Sequence, residues 1–188
     1  QLVNTLSDWH KEHIHTPIAF NLAGQELMND AFFALLMTLI VDHPWLKDKL
    51  ELEITETSPV MTHSLIHKRL RALSEYGFSI AIDDFGTGYS SLSYLKRFPI
   101  NTLKIDQSFV QNMTTNSDDA TIVSAVIGMG NNLQHTIIAE GVETEQQLTF
   151  LKTLDCDEGQ GFLFSHPLTA RDFKAFLLAG GKPLNSQS

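Results

Sequence analysis

Residues 78–88 read FSIAIDDFGTG: an apolar run, the adjacent carboxylates Asp83 and Asp84, then a turn carrying Gly86 and Gly88. The run predicts a strand over Phe78 to Asp83. Working outward, the same strand–helix unit recurs on both sides. Upstream, an opening helix reaches about His13, a short apolar stretch from Pro17 to Phe20 ends at Asn21, and an apolar helix spans roughly Gln25 to Asp42. Leu50 to Glu56 (LELEITE) alternates as a strand does. The helix after it takes Ser58 as N-cap and Pro59 in its first turn, and stops at Gly77. Downstream come a short helix from Ser90 to about Phe98, a strand over Thr102 to Asp106 and a helix near Asp118 to Leu133. A strand over Thr136 to Glu140 follows, then a helix opened by a capping box of Thr144 and Gln147. A strand over Gly161 to Phe164 and a last helix from about Thr169 to Gly180 complete the pattern. Strands alternating with helices imply parallel pairing and an α/β fold.

The polar residues show a second regularity. Asn21, Glu53, Asp83, Lys104 and Glu140 fall at or near the C-terminal ends of predicted strands, and Gln160 enters the last, at intervals of 20 to 36 residues. A (β/α)8 barrel gathers its ligands at that rim, whereas a doubly wound sheet does so only near its switch point. Six polar strand ends therefore fit a closed ring. A barrel of that kind typically needs ~250 residues, and the chain has 188 and opens in mid-helix. The expectation is an incomplete TIM-like (β/α)8 barrel of about six strands with the first two strands missing. Residues 1–181 then form one N-terminally truncated domain, and 182–188 a polar tail.

The formal charge is −9, from 13 Lys+Arg against 22 Asp+Glu. Such a surface argues against a duplex nucleic-acid partner, which needs a basic face. A small phosphate ligand stays compatible, because a bound metal can supply positive charge. The single cysteine, Cys156, allows no internal disulfide and suits a reducing compartment. The longest apolar run, Ala31 to Val41, is well short of the ~20 residues of a bilayer span and reads as a buried helix. A cytoplasmic domain is expected.

Adjacent carboxylates at a strand end can hold two divalent ions, a common device for phosphodiester cleavage. Asp83 and Asp84 equally suit an N-cap and β-turn. Glu53 is either an inward rim carboxylate, costly unless paired or metal-bound, or an exposed Glu on an edge strand. Asn21 is either a ligand or a turn residue. Lys104 could stabilise charge at phosphorus or pair with Asp106. Glu140 is a candidate base or metal ligand. Glu143 suits a helix N-terminus equally well.

With these stretches placed, the chain resembles the EAL domain, the cyclic di-GMP phosphodiesterase family. The matching blocks are FNLAGQEL at 20–27, LELEITET at 50–57, the stretch 80–110 containing DDFGTGYSSL, and 137–167 containing IAEGVET. The resemblance implies a modified TIM-like barrel and metal-assisted hydrolysis of cyclic di-GMP to linear pGpG. It implies metal ligation by Asn21, Glu53, Asp83 and Asp84, with Mg²⁺ or Mn²⁺ in a two-metal site of the intact domain. Lys104 matches the lysine near the catalytic water, and Glu140 the glutamate that serves as base or second-metal ligand. Glu143 and Gln160 match further site residues, and Glu56 the glutamate that braces the loop after Asp84. The naming Glu-Ala-Leu motif is absent from the sequence, and Ala23, Asn101, Gln107 and His166 depart from the usual residues. The absent motif leaves a second reading open, a cyclic di-GMP receptor that binds without turnover. Expected partners are cyclic di-GMP, a second copy through homodimerisation or domain swapping, and upstream sensory or GGDEF-type domains. The parent protein could be tethered to the inner face of the membrane.

Overall fold

A computed structural model describes residues 2–55, 63–88, 95 and 98–180. Among them, β1 (Ile18–Asn21), β2 (Leu50–Thr55), β3 (Ser79–Phe85), β4 (Thr102–Ile105), β5 (Thr136–Glu140) and β6 (Glu158–Gln160) form one sheet. The strands pair parallel and in sequence order, with no reversal. Parallel crossovers are right-handed, so a sheet that always advances the same way places its crossover helices on one face. A doubly wound sheet reverses and covers both. The observed order is that of a barrel wall, and the six strands form a half-barrel of the TIM-like α/β type.

The described helices are α1 (Leu2–Lys11), α2 (Gly24–Met28), α3 (Asp30–Asp42), α4 (Ser64–Glu75), α5 (Gln107–Asn112), α6 (Ser117–Leu133), α7 (Glu145–Thr153) and α8 (Ala170–Leu178), with a 3-10 turn over Pro44–Asp48. Strand periodicity of two sorts the side chains. Leu52, Ile54, Ile80, Leu103, Ile105 and Ile137 point toward the helices and are fully buried. Each contributes about 1.5–3 kcal/mol by leaving water. At Gly130 of α6 a Cβ would lie 2.0 Å from Ile137 Cδ1, so the glycine lets the helix close directly onto β5. Among the described residues the first and last helices meet: Trp9 and Phe173 rings lie 5.9 Å apart, and Lys174 Nζ is 2.5 Å from Oε2 of Glu12, just past α1.

Four sequence expectations change. The single helix over Gln25 to Asp42 is two, because Asn29 adopts an extended backbone and its side chain accepts from Phe32 N–H to cap α3. The last strand is Glu158–Gln160, not Gly161 to Phe164. Gly161 sits where a Cβ would meet the Val142 backbone at 2.2 Å. The chain then turns, with Phe164 and Ser165 N–H groups donating to the Gly161 carbonyl. An extra helix, α5, follows β4, capped by Asp106, which accepts from Ser108 N–H at 2.9 Å. The helix expected from Ser58 is described from Ser64, with His63 as N-cap. Ser58, Pro59, Glu56 and most of the helix expected from Ser90 lie outside the described residues.

Candidate functional site

Strand β3 brings two consecutive carboxylates to one place because it is bulged. Ile82 pairs with Leu103 and Phe85 with Ile105, so three steps on β3 match two on β4. Asp84 takes up the extra step at φ +55, in the left-handed region. In a regular strand Asp83 and Asp84 would face opposite sides; the bulge turns both toward the rim. Thr87 closes the turn beyond, its hydroxyl donating to the Asp84 carbonyl at 2.9 Å.

Lys104 is the centre of the site. It is 4% exposed, and its Nζ lies 2.6 Å from Glu53 Oε1, 2.7 Å from Glu140 Oε1 and 3.1 Å from Asp83 Oδ1. Lys104 therefore joins three neighbouring strands, and its partners are not the Asp106 that the sequence also allowed. Burial works against the ammonium, but the bonds from Glu140 and Glu53 outweigh it and hold its pKa above the ordinary lysine value. Burial pushes the Glu53 carboxyl above its ordinary range, against the pull of Lys104. Glu140 is raised for the same reason. Asp84 is raised by burial, by the Asp83 charge and by a hydrogen bond shared with Asp106.

The donor set suits a divalent metal ion. Asp83, Asp84 and Glu140 each offer one oxygen, all within 4.8 Å of one another. Asp83 Oδ1 is buried and, although near Lys104, accepts no hydrogen bond of good geometry. Carboxylate oxygens are the ligands that hard divalent cations take.

The other expected residues are placed less centrally. Glu53 is no edge residue: β2 lies between β1 and β3, and Glu53 is 5% exposed. Asn21 is exposed and stands in register with Glu53 at the end of β1. Glu140, Glu143 and Gln160 line one cavity of about 230 Å³ with Gln107, Gly141 and Phe162. Glu143 precedes the Thr144 cap of α7, and its carboxylate accepts from Gln111 at 3.3 Å. Glu56 lies outside the described residues. The sequence reading missed Asp106 as the partner of Asp84, and Gln107 and Phe162 as cavity walls. Proximity to the strand ends was the available signal for all three.

The EAL domain family model matches residues 1–167 of the chain. The bifunctional diguanylate cyclase/cyclic di-GMP phosphodiesterase MucR of Pseudomonas aeruginosa is 41% identical over 163 residues, which are 87% of this chain and 24% of MucR. A structure of the PaMucR phosphodiesterase in complex with c-di-GMP superposes with a TM-score of 0.84 at 39% identity, covering 91% of this chain and 70% of that one. A manganese/c-di-GMP complex of Klebsiella pneumoniae BlrP1 superposes with a TM-score of 0.77 at 32% identity, covering 88% and 42%. The chain thus spans about a quarter of the length of curated relatives such as MucR. No described helix is long and apolar enough to cross a membrane.

Proposed function

The chain belongs to the EAL domain family, and from that membership we propose that it is a metal-dependent cyclic di-GMP phosphodiesterase yielding linear pGpG. The observation that carries the reading is the buried Lys104 among Glu53, Asp83 and Glu140 at adjoining strand ends. A core lysine with three carboxylates is costly as scaffolding alone, and perturbed buried groups of this kind cluster where chemistry is done.

Asp83 and Asp84 would hold the divalent ion, Mg²⁺ or Mn²⁺, with Glu53 and Asn21 completing the set on the neighbouring strands and Glu140 beside it. When bound, the ion supplies Lewis-acid charge for the phosphodiester. Lys104, charged across the neutral range, faces the place where negative charge grows at phosphorus. Glu140, its pKa raised by burial, accepts the proton of the attacking water. One oxygen–phosphorus bond forms, the bond from phosphorus to the ribose 3′ oxygen breaks, and that oxygen takes up a proton. Glu143 and Gln160 line the cavity beside Glu140 and contact the nucleotide. Residues 1–167, which the family model matches, lie within this domain. It works in the cytoplasm as a self-associating module of a longer protein that carries sensory or GGDEF-type domains.

Chromatography of nucleotides after incubation with cyclic di-GMP and Mn²⁺ tests this. Chelator-sensitive pGpG is expected, and Asp83→Asn should lower its rate at least about a hundredfold while leaving the fold intact by circular dichroism. Saturable binding with no product would make the chain a receptor instead.

A further inference from the structure

Beneath the rim the inward face carries a second polar layer that no part of the proposed chemistry uses. Glu51 points to the same face as Glu53, one inward step below it, because strand side chains alternate. Its Oε1 accepts two hydroxyls, from Ser79 Oγ at 2.8 Å and from Thr102 Oγ1 at 2.5 Å. Glu51 lies on β2, Ser79 on β3 and Thr102 on β4. These are the strands that deliver Glu53, Asp83 with Asp84, and Lys104.

We infer that Glu51, with Ser79 and Thr102, is a positioning brace that sets the separation of Glu53, Asp83 and Lys104 and so the metal affinity of the rim. The inference rests on the metal-dependent reading given above. Its physical reason is the bulge. Regular β3–β4 pairing covers Ala81↔Thr102 and Ile82↔Leu103 and then shifts before Phe85. A bulge leaves its extra residue unpaired and the ladder locally disrupted. The aspartates inside it therefore depend on what fixes the register just below. Thr102 is that point: it forms the first regular pair, it is 4% exposed, and its hydroxyl is anchored across two strands to Glu51. The two hydroxyls converge on one carboxylate oxygen from neighbouring strands and so fix its place from two sides. Outer partners that hold ligands in place commonly govern metal affinity.

Calorimetric titration with Mn²⁺ tests the brace without requiring turnover. Relative to the wild-type chain, Ser79→Ala/Thr102→Val should weaken Mn²⁺ binding by about tenfold or more. The kcat should fall by a similar factor while KM for cyclic di-GMP moves less than about threefold. Glu51→Gln, made in the wild-type chain, keeps an acceptor oxygen for both hydroxyls and should leave Mn²⁺ affinity within about threefold of wild type. Wild-type affinity in the folded double variant overturns the brace. If that variant does not fold, Ser79→Ala alone carries the test, and an unchanged affinity there overturns it equally. Weakened Mn²⁺ binding in a series where even the wild type makes no pGpG supports the brace and removes the hydrolase reading. A wild type that binds no Mn²⁺ removes both.

Discussion

The two faces of one sheet follow opposite rules. Toward the helices, Leu52, Ile80, Leu103 and Ile137 meet other apolar groups and are held by area and shape alone. Toward the barrel axis, the intervening positions carry Glu51, Glu53, Asp83, Lys104 and Glu140, held by specific charge pairs and hydroxyls. Adjacent residues on the same backbone thus differ in what a substitution does. The outward face responds to lost volume, and the response does not depend on pH. The inward face responds to lost partners, and the response depends strongly on protonation.

Lys104→Met gives the largest expected effect. It leaves buried carboxylates unpaired and should cost about 3–5 kcal/mol near neutral pH, read from denaturant unfolding. The pH dependence has a defined sign. Glu53 and Glu140 have folded pKa values above their ordinary 4.5. Their contribution to stability is therefore full below that value and is lost as pH rises through the raised values. Lys104 pulls both down, so its removal raises them further and enlarges the loss. The gap between Lys104→Met and wild type should widen from pH 4.5 to pH 8. Lys104 itself is raised above its ordinary 10.5, so its own contribution is constant over that window. A gap that stays flat would break the distinction between the faces.

On the outward face, Leu103→Ala should cost about 2–5 kcal/mol by opening a cavity, with the same penalty at both pH values. Its activity per folded molecule should match wild type. The smallest expected effect lies where the two faces meet. Asp84→Gly relieves a left-handed backbone and should raise stability by about 0.5–1 kcal/mol, measured as a higher Tm, while pGpG formation falls. A lower Tm would mean that the Asp84 side chain contributes more to folding than its backbone conformation costs.

Much of this was legible in the sequence. The alternation in LELEIT and the apolar runs of TLKI and TIIAE gave β2, β4 and β5 closely, because interior strands need apolar residues on the helix side. Edge strand β6 was not legible. Glu158, Gly159 and Gln160 are exposed and bury little, whereas the neighbouring Phe162 and Phe164 are apolar yet 56% and 42% exposed and lie in a turn. The break at Asn29 was hidden inside a run that is apolar on both sides of it. At the site, Glu53, Asp83, Lys104 and Glu140 converge as the strand ends implied. Which of them touch was not legible, since that depends on a bulge that no local pattern announces. Glu51 was not singled out in the sequence, and its two hydroxyl partners are 28 and 51 residues away.

The meeting of α1 with α8 gives the curved wall a chord. A six-stranded arc has two edges, β1 and β6, and its curvature is a soft coordinate as long as nothing spans them. The Trp9–Phe173 contact and the Glu12–Lys174 pair tie the helices that flank those edges. Opening the mouth must therefore stretch this tie, as opening a hoop strains its clasp. The width of the rim is thereby coupled to contacts far from it, the aromatic pair and the ion pair among them. Salt softens only the second.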